Sequence, residues 1–308
     1  MLCDQNSTIM QHNLAYDLKI KSAIDLPELR SCFFEPSEAD VIISERAVET
    51  IIAPTETGVA WRAKEGQFEL YVKDVARFAV SGGNRIDVDY LAPGKEREAR
   101  IFLFGSAFAA LLHQRRYSVM HASSVLTSKG SILFCGLSGD GKSTLAAGFA
   151  QRGYSVLADD VTALKYMDDG TFWTPPAFPL SRLCGDVIEA LKWPVSSCQP
   201  MALEGPKFET FQPTLPEEGA QPYCIVFLKP CVDEQVKFRK LSPIEAVESL
   251  VKRTYRYRFA VGMGFRESHY KQTIELAKTV SIFEVSRPIG IKHLNASIER
   301  IIEFVEGD

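Results

Sequence analysis

The sequence has little of what marks a nucleic-acid-binding, secreted or membrane protein. Its formal net charge is −4 over 308 residues, so no basic excess offers nucleic acid a general electrostatic attraction. The N-terminus carries Asp4 and has no basic segment followed by an apolar run, unlike a secretory signal. The most apolar window, 101–112, is short of the roughly 20 residues that span a bilayer. We therefore expect a cytoplasmic protein with neither nucleic-acid nor membrane partners.

The cysteines form neither a zinc-binding nor a disulfide pattern. The chain has 7 of them, an odd number, and none belongs to a C-x-x-C pair. Reduced thiols are the simplest interpretation, which again favours the cytoplasm. There is no internal repeat and no low-complexity tract.

The pattern of apolar residues divides the chain near residue 95. Before it, short alternating or β-branched runs predict strands over 40–44, 67–72, 76–83 and 85–91. A segment with charged ends and an apolar middle then predicts a helix over 95–116. We expect a small β-rich module over residues 1–95 and an α/β domain with a helical C-terminal part over residues 96–308.

In the second part, apolar runs predict two buried strands over 117–126 and 131–136, and further strands over 154–158, 224–229 and 236–241. A hairpin is expected to turn at 168–170, and "SPIE" (242–245) has the order of a capping box. The C-terminal third is otherwise predicted to be mostly helical. Residues 194–222, rich in Pro, Gln and Glu, are expected to be a mobile loop.

The stretch "GLSGDGKST" fits the phosphate-loop pattern G-x-x-x-x-G-K-[ST]. Glycines let successive backbone N–H groups converge on a phosphate, and the following helix adds its positive N-terminal end. Lys142 is expected to reach the β- and γ-phosphates, and the Ser143 hydroxyl to ligate Mg²⁺. The candidate nucleotide-binding residues are Gly136, Leu137, Ser138, Gly139, Asp140, Gly141, Lys142, Ser143 and Thr144.

Two further features supply groups that phosphoryl transfer needs. Asp159 and Asp160 follow the predicted strand 154–158, at the strand end where open α/β sheets bind ligands. They lie unusually soon after the phosphate loop, and a solvated turn is the alternative. His121 lies in the run 117–126, predicted as a strand beside that of the phosphate loop, where a buried core histidine is the alternative.

The segment "HASSV…FCGLSGDGKSTLAAGFAQRGYSVLADDVTAL", residues 121–164, resembles the catalytic core of the HPr kinase/phosphorylase family. Its shorter relatives include kinases that tailor lasso-peptide precursors. The resemblance covers His121, the phosphate loop, "RGY" and the aspartate doublet in the same order and spacing. Outside this segment it is general, in "LLHQRR" and "SPIEA". It implies a phosphate-loop core related to phosphoenolpyruvate carboxykinase, with ATP and Mg²⁺ as cofactors, a protein or peptide serine as acceptor, and a homo-oligomer.

Carried over to this chain, the resemblance gives each residue of the segment a role. Asp159 would be the base on the acceptor hydroxyl with His121 close by, while Ser143 and Asp160 would hold Mg²⁺ and Lys142 would steady the transferring phosphoryl group. The two aspartates could exchange these roles. A glycine-rich "EIRGLG" segment of the bifunctional enzymes is replaced here by "FPLSRLCGD" (178–186). Phosphorylase activity and HPr as substrate are therefore not carried over, and Arg182 in that segment is a candidate phosphate contact.

A protein or peptide serine kinase is the leading hypothesis, with a lasso-type precursor as one candidate substrate and the β-rich module recognising or gating it. A small-molecule kinase and a nucleotide-sensing subunit without transfer activity are the alternatives. A pure sensor needs no base, so the Asp159, Asp160 and His121 constellation argues against the last. The stretch 237–271 holds nine basic and three acidic side chains, which fits either solvated helix faces or a dock for an acidic peptide or the nucleotide.

Overall fold

The chain folds into a mixed α/β architecture with several sheets. The structure, a computed structural model, describes residues 10–49, 52, 58–202, 205–211, 215–233 and 235–307. The first sheet has 8 strands in the spatial order β3-β1-β2-β4-β8-β7-β6-β5. Its strands are β1 (Gln11–Ala15), β2 (Leu18–Ser22), β3 (Arg30–Ser31), β4 (Val41–Glu45), β5 (Val59–Lys64), β6 (Gln67–Val72), β7 (Ala76–Ser81) and β8 (Arg85–Tyr90).

Four of these strands match the predicted ones, because alternation of buried and half-exposed residues is a local signal. In β7 and β8 every second side chain is buried, including Phe78, Val80 and Val88. The predicted helix 95–116 is also present, as α1 (Glu96–Phe102), a π-helical turn (Leu103–Ala107) and α2 (Phe108–Gln114). This helix packs its apolar middle against the first sheet, so the sheet and the helix share one hydrophobic core.

A second sheet carries the phosphate loop. It has 6 strands in the order β12-β10-β11-β18-β20-β19. The remaining elements in chain order are β9 (Ser118–Met120), β10 (Ala122–Thr127), β11 (Gly130–Cys135), α3 (Lys142–Ala150), β12 (Val156–Ala158), β13 (Thr162–Tyr166), β14 (Phe172–Trp173), β15 (Leu180–Cys184), α4 (Gly185–Ala190), β16 (Cys198–Pro200), β17 (Lys207–Phe211), β18 (Pro222–Cys231), β19 (Lys237–Lys240), α5 (Pro243–Arg253), α6 (Tyr257–Gly262), α7 (Arg266–Thr279), β20 (Ser281–Pro288) and α8 (Leu294–Glu306).

The strand directions bring the phosphate loop, the aspartate doublet and His121 to one edge of this second sheet. β11, β18 and β20 are parallel, and β10 is antiparallel both to β11 and to β12. β12 therefore runs in the same direction as β11, and the C-terminal ends of four strands meet at one edge. The N-terminal end of β10, directly after His121, reaches the same edge because β10 runs the other way.

Helices cover both faces of the second sheet. α3 and α8 pack on one face, where a methyl group on Gly148 would meet Ile298 at 2.3 Å, so only glycine allows this close approach. α5 and α7 pack on the other face against residues such as Leu133 and Ile225. α5 begins with the predicted capping box, in which the Ser242 hydroxyl and the Glu245 carboxylate bond each other's backbone N–H groups.

The structure corrects three predictions made from the sequence. The run 117–126 is not one strand: it breaks at His121, because β9 pairs with β13 in a separate small sheet while β10 pairs with β11. Residues 194–222 are not simply a loop, since β17 pairs with both β16 and β15. The C-terminal third is otherwise mostly helical as predicted, through α5, α6, α7 and α8, but it also contains the strand β20, which was not predicted. The predicted hairpin is present as β13 and β14.

The first sheet ends at Tyr90 and α1 begins at Glu96, on either side of the predicted boundary. The division into a module over 1–95 and a domain over 96–308 stays a prediction. Within the described ranges, no helix is both long and apolar enough to cross a membrane.

Candidate active site

The phosphate loop connects β11 to α3, with the strand and the helix expected on either side of it. Gly139 and Gly141 have φ angles of +94° and +89°, in the left-handed region that favours glycine. The Asp140 carboxylate turns back and accepts a hydrogen bond from the Leu137 N–H. A methyl group on Gly136 would meet this carboxylate at 2.9 Å, so a larger residue here would displace the Asp140 side chain. The loop is thus held in a tight turn by its own aspartate.

Lys142 is the first residue of α3, and its ammonium is folded under the loop. Nζ lies 2.9 Å from the Leu137 carbonyl oxygen, 3.1 Å from that of Gly136 and 3.1 Å from Nε2 of His121. Burial lowers the pKa of Lys142, while the neighbouring Asp160 and Asp159 carboxylates act in the opposite direction. The sequence thus places a buried cation where a phosphate would lie against the loop.

His121 connects this lysine to the aspartate doublet. Its Nδ1 lies 3.1 Å from the Asp160 carbonyl oxygen and 3.2 Å from Asp160 Oδ1. Both partners are acceptors, so Nδ1 donates to them, and Nε2 faces the Lys142 ammonium. The His121 backbone N–H donates to the Arg253 carbonyl, which fixes the residue where the chain changes sheets. The imidazole is therefore a bridge between cation and carboxylate, and not an isolated core histidine.

The two aspartates have different surroundings. Asp159 is 7% exposed, and its carboxylate accepts from the Ser123 hydroxyl and, at 3.3 Å, from the Arg182 backbone N–H. The side chain of Asp160 is 31% exposed and forms an ion pair with Arg182 Nη1 at 3.2 Å. Asp160 has a left-handed φ of +72°, which for a residue other than glycine is strained. Asp159 is anchored in the protein, and Asp160 is turned outward.

The electrostatic surroundings keep Asp160 ionised. Burial alone would raise its pKa, but the hydrogen bond and charge of His121, with the charges of Arg182 and Lys142, outweigh burial and lower the pKa to about 2. At neutral pH this carboxylate is therefore a hydrogen-bond acceptor only.

These groups line one cavity of about 420 Å³. Of the predicted residues, the cavity wall contains His121, Ser138, Gly139, Gly141, Lys142, Ser143, Thr144, Asp160 and Arg182. Gly136, Leu137 and Asp140 shape the loop without lining the cavity. Asp159 lies behind Asp160, on a smaller pocket shared with Phe104 and Phe178.

Two cations of this cavity and one hydroxyl behind it were not predicted from the sequence. Arg287 at the end of β20 donates through Nη2 to the Asp140 carbonyl at 2.6 Å, and a methyl group on Gly141 would collide with its guanidinium. Lys207 at the start of β17 also lines the cavity, and Ser123 holds Asp159. The sequence did carry a signal for Arg287: it is the second-last residue of the strand "SIFEVSRP", and a charged residue near a strand's C-terminal end indicates a ligand site.

The cavity has a charged and an apolar part. Four positive charges line the cavity, on Lys142, Arg182, Lys207 and Arg287. They are enough to balance the negative charges of a triphosphate. The apolar part is formed by Leu183, Val187, Ile289, Ile291 and Leu294. A phosphate chain and a nucleobase need these two kinds of surface side by side.

The side chains that could hold Mg²⁺ here are the Ser143 hydroxyl and the Asp160 carboxylate, since both line the cavity. No cluster of three His, Cys, Asp or Glu residues that could hold a metal occurs in the described part of the chain. Such a sparse donor set fits Mg²⁺, which is commonly held by one or two protein oxygens together with substrate phosphates and water.

Comparison with solved structures finds similarity to the Hpr(Ser) kinase/phosphatase from Coxiella burnetii. The sequence identity is 14% and the TM-score 0.30, over 61% of this chain and 93% of that chain. No protein-family model and no curated protein matches the sequence. Similarity this low says nothing about activity, so the chemistry has to be inferred from the residues of the site.

Proposed function

We propose that this protein is an ATP-dependent kinase that transfers the γ-phosphate to a serine hydroxyl of a protein or peptide, with a lasso-type precursor as one candidate. One observation carries the proposal: Lys142, His121 and Asp160 are joined by direct contacts of 3.1 and 3.2 Å within a single cavity. A phosphate-binding lysine is thereby connected to an outward-facing carboxylate. The resemblance of residues 121–164 to HPr kinase-like proteins supports the same chemistry.

Binding precedes chemistry in this scheme. The N–H groups of the phosphate loop and of the first turn of α3 bind the β- and γ-phosphates, and Lys142 turns from its carbonyl partners to the phosphate oxygens. Arg287 and Lys207 add positive charge. Mg²⁺, held by the Ser143 hydroxyl together with phosphate oxygens and water, would neutralise charge on the transferring group. The apolar part of the cavity holds the nucleobase of ATP.

Transfer then depends on Asp160 more than on Asp159. The serine oxygen forms a bond to the γ-phosphorus, the bond between that phosphorus and the β,γ-bridging oxygen breaks, and the serine proton passes to an Asp160 oxygen. A pKa of about 2 makes Asp160 a weak base, so it orients the hydroxyl first and takes the proton only as the new bond forms. His121 and Arg182 position this carboxylate. We thus assign the role of base to Asp160 instead of Asp159, and we assign Asp159 the role of a buried support and not that of a metal ligand.

The test compares Asp160→Asn with Asp159→Asn. ATP affinity is measured by calorimetry, and transfer with labelled ATP, candidate peptides and small hydroxyl compounds, followed by mass location of the phosphate. Asp160→Asn should retain ATP affinity within a few-fold while transfer falls by on the order of 10² to 10⁴. Asp159→Asn should mainly lower thermal stability, since one buried acceptor of two hydrogen bonds is replaced.

Other outcomes would change the assignment. If high Mg²⁺ restores the rate of Asp160→Asn, Asp160 is a metal ligand and not the base. If Asp159→Asn alone abolishes transfer in a stable protein, Asp159 is the base. If the wild type binds ATP and phosphorylates only small compounds, it is a small-molecule kinase. If it phosphorylates nothing, it is a nucleotide sensor.

A further inference from the structure

A second cavity, of about 500 Å³, lies where the segment after α5 meets β5 of the first sheet. We call it the basic groove and define it by Trp61, Lys252, Thr254, Arg256, Arg258 and Phe259. None of these residues belongs to the phosphate-loop cavity. The groove therefore needs an explanation of its own.

Aromatic rings form the apolar part of the basic groove. The Trp61 ring packs on Phe259 with a centroid distance of 4.8 Å, and Phe259 packs in turn on Phe68 at 4.4 Å. Phe259 is buried, whereas Trp61 remains 39% exposed. A partly exposed tryptophan fixed by rings beneath it offers rigid contact area, as is typical of binding hot spots.

The charges of the basic groove are largely uncompensated. Among the described residues, neither Arg256 nor Arg258 has a carboxylate within ion-pair distance, and both are exposed. Lys252 has only an exposed contact with Glu248 at 3.6 Å, which contributes little. Arg256 lies over the Phe259 ring at 5.6 Å. Unpaired cations beside aromatic rings favour a ligand that brings both carboxylates and an apolar group.

The backbone at Arg256 is strained. Its φ is +53°, in the left-handed region, which is unfavourable for a residue other than glycine. Glycine or asparagine would adopt this conformation more readily. A long cationic side chain at such a position is consistent with a role in binding, because it does not serve local stability.

The segment that forms the groove wall also touches the active site. Met120 and Thr254 form a backbone bridge, and the Tyr255 N–H donates to the Val119 carbonyl at 2.8 Å. The Tyr255 ring lies 5.6 Å from the His121 ring, centroid to centroid. Tyr255 is thus flanked in sequence by Thr254 and Arg256 of the groove and packs on the histidine that positions Asp160. A chain lying in the groove would pass close to the site of transfer.

We propose that the basic groove holds an acidic segment of the peptide or protein substrate, with an apolar side chain on Trp61 and carboxylates on Arg256 and Arg258. The acceptor serine then extends past Tyr255 towards Asp160. This inference rests on the proposed kinase function and adds the class of substrate: a serine flanked by acidic and apolar residues. It also gives the aromatic and basic run 254–259 a role in binding peptide and not nucleic acid.

Binding is tested without transfer. The probe is a fluorescein-labelled peptide with several glutamates, an aromatic residue and no hydroxyl side chain, followed by anisotropy; a second peptide carries lysine in place of glutamate. The wild type should bind the acidic peptide at least about tenfold more tightly, and the difference should shrink as salt is added. Arg256→Asn combined with Arg258→Ala should abolish this preference. Lys240→Ala removes an exposed charge outside the groove and should leave affinity unchanged.

Three results would overturn the inference. The first is that the wild type binds both peptides equally. The second is that Lys240→Ala loses as much affinity as the groove variant. The third is that a single-stranded oligonucleotide binds at the groove more tightly than the acidic peptide does. Because Arg256→Asn suits the left-handed backbone, a folding defect does not explain a loss of binding, and equal melting temperatures verify this.

Kinetics separate this inference from the proposed function. With an acidic serine peptide, the groove variant should raise the peptide KM at least about tenfold while the KM for ATP stays the same. If the wild type phosphorylates peptides and the variant shows an unchanged peptide KM, the groove inference fails alone. If the acidic probe binds as expected but no serine is ever phosphorylated, the kinase proposal fails and the groove remains a binding site.

Discussion

Lys142 carries its charge at a buried position where its direct partners are two carbonyl oxygens and an imidazole nitrogen. None of these partners carries a negative charge, so they compensate the charge of Lys142 only in part, and burial lowers its pKa. A phosphate oxygen is a better partner, because its full negative charge acts in a region partly shielded from water. The cost of burying this residue is thus recovered when a ligand binds.

Lys142→Met tests this account, because methionine keeps the length of the side chain and removes the charge. We expect ATP affinity to fall by at least about 100-fold and transfer to be lost, since no other ammonium contacts the loop carbonyls among the described residues. The melting temperature should stay the same or rise, as a buried charge is replaced by an apolar group. Calorimetry with ATP and thermal melts measure both. Unchanged ATP affinity would remove the phosphate-loop assignment.

Asp160 should leave a signature in the pH dependence of stability. Its carboxyl has a pKa of about 2 in the folded protein against an ordinary value of 3.8. Because the folded pKa is the lower one, ionised Asp160 stabilises the fold above about pH 4, and this contribution disappears as the pH falls towards 2. We expect the stability difference between the wild type and Asp160→Asn, from urea unfolding, to be largest above pH 4 and to disappear as the pH falls through 2. A difference independent of pH would contradict the ion pairs described for Asp160.

Elements whose pattern is local were predictable, and those that depend on distant partners were not. β11, the phosphate loop and α3 follow from an apolar run, spaced glycines and a helix-forming segment that adjoin in sequence. The break at His121 depends on β13, about 40 residues further on, which pairs with β9 and draws it out of the second sheet. The sequence therefore predicts that His121 lies near the loop, but not its bridging contacts. The same reason hid the basic groove, whose walls are far apart in the chain.

The loop also depends on β20, an element that the sequence analysis did not predict. Arg287 lies against Gly141 and bonds the Asp140 carbonyl, so β20 supports the loop from one side. This support explains why the last glycine of the loop has a steric requirement beyond its φ angle. A neighbouring glycine without such a neighbour gives a matched control.

Gly141→Ala and Gly139→Ala separate the backbone requirement from the packing requirement. Both residues have φ near +90°, so alanine strains both, but a methyl group collides with Arg287 only at residue 141 and meets nothing within 4 Å at residue 139. We expect Gly139→Ala to weaken ATP binding less than about tenfold and Gly141→Ala to weaken it by a further factor of at least about ten. Calorimetric titration with ATP measures both. Equal losses would mean that Arg287 does not support the loop.

The molecule joins its first sheet to the active site through a core that crosses the predicted boundary near residue 95. Residues of β6–β8 and of α2 and α6 share this core, and ring contacts run from Tyr16 to Phe108 and Phe178. Ala158, Val161 and Ala163, which surround the aspartate doublet in sequence, also belong to it. The first sheet thus forms one wall of the structure that holds the two carboxylates of Asp159 and Asp160. A substrate bound at the basic groove would therefore contact the same hydrophobic core that supports the two aspartates.

Tyr16 is the most direct of these connections. It is fully buried between β1 and β2, and its hydroxyl donates to the Val161 carbonyl at 3.1 Å, while its N–H donates to the Pro176 carbonyl at 2.7 Å. Burial raises the pKa of Tyr16, so the hydroxyl is a permanent donor. Val161 directly follows Asp160, whose own backbone is strained at φ +72°. A hydrogen bond from the first sheet therefore helps to hold the strained residue in place.

Tyr16→Phe removes that hydrogen bond and keeps the ring. We expect a loss of about 1–2 kcal/mol in unfolding free energy, because the Val161 carbonyl loses a buried donor. If Tyr16 positions Asp160, kcat for peptide phosphorylation should fall several-fold while ATP affinity stays within twofold, since the phosphate loop belongs to other strands. Tyr154→Phe is the matched control. The Tyr154 hydroxyl donates to the Glu306 carboxylate and not to a residue of the aspartate doublet, so transfer should not change. A stability loss in Tyr16→Phe with wild-type kcat would show that the hydrogen bond from the first sheet stabilises the fold without positioning the Asp160 carboxylate. The first sheet would then contribute to transfer only by keeping the protein folded.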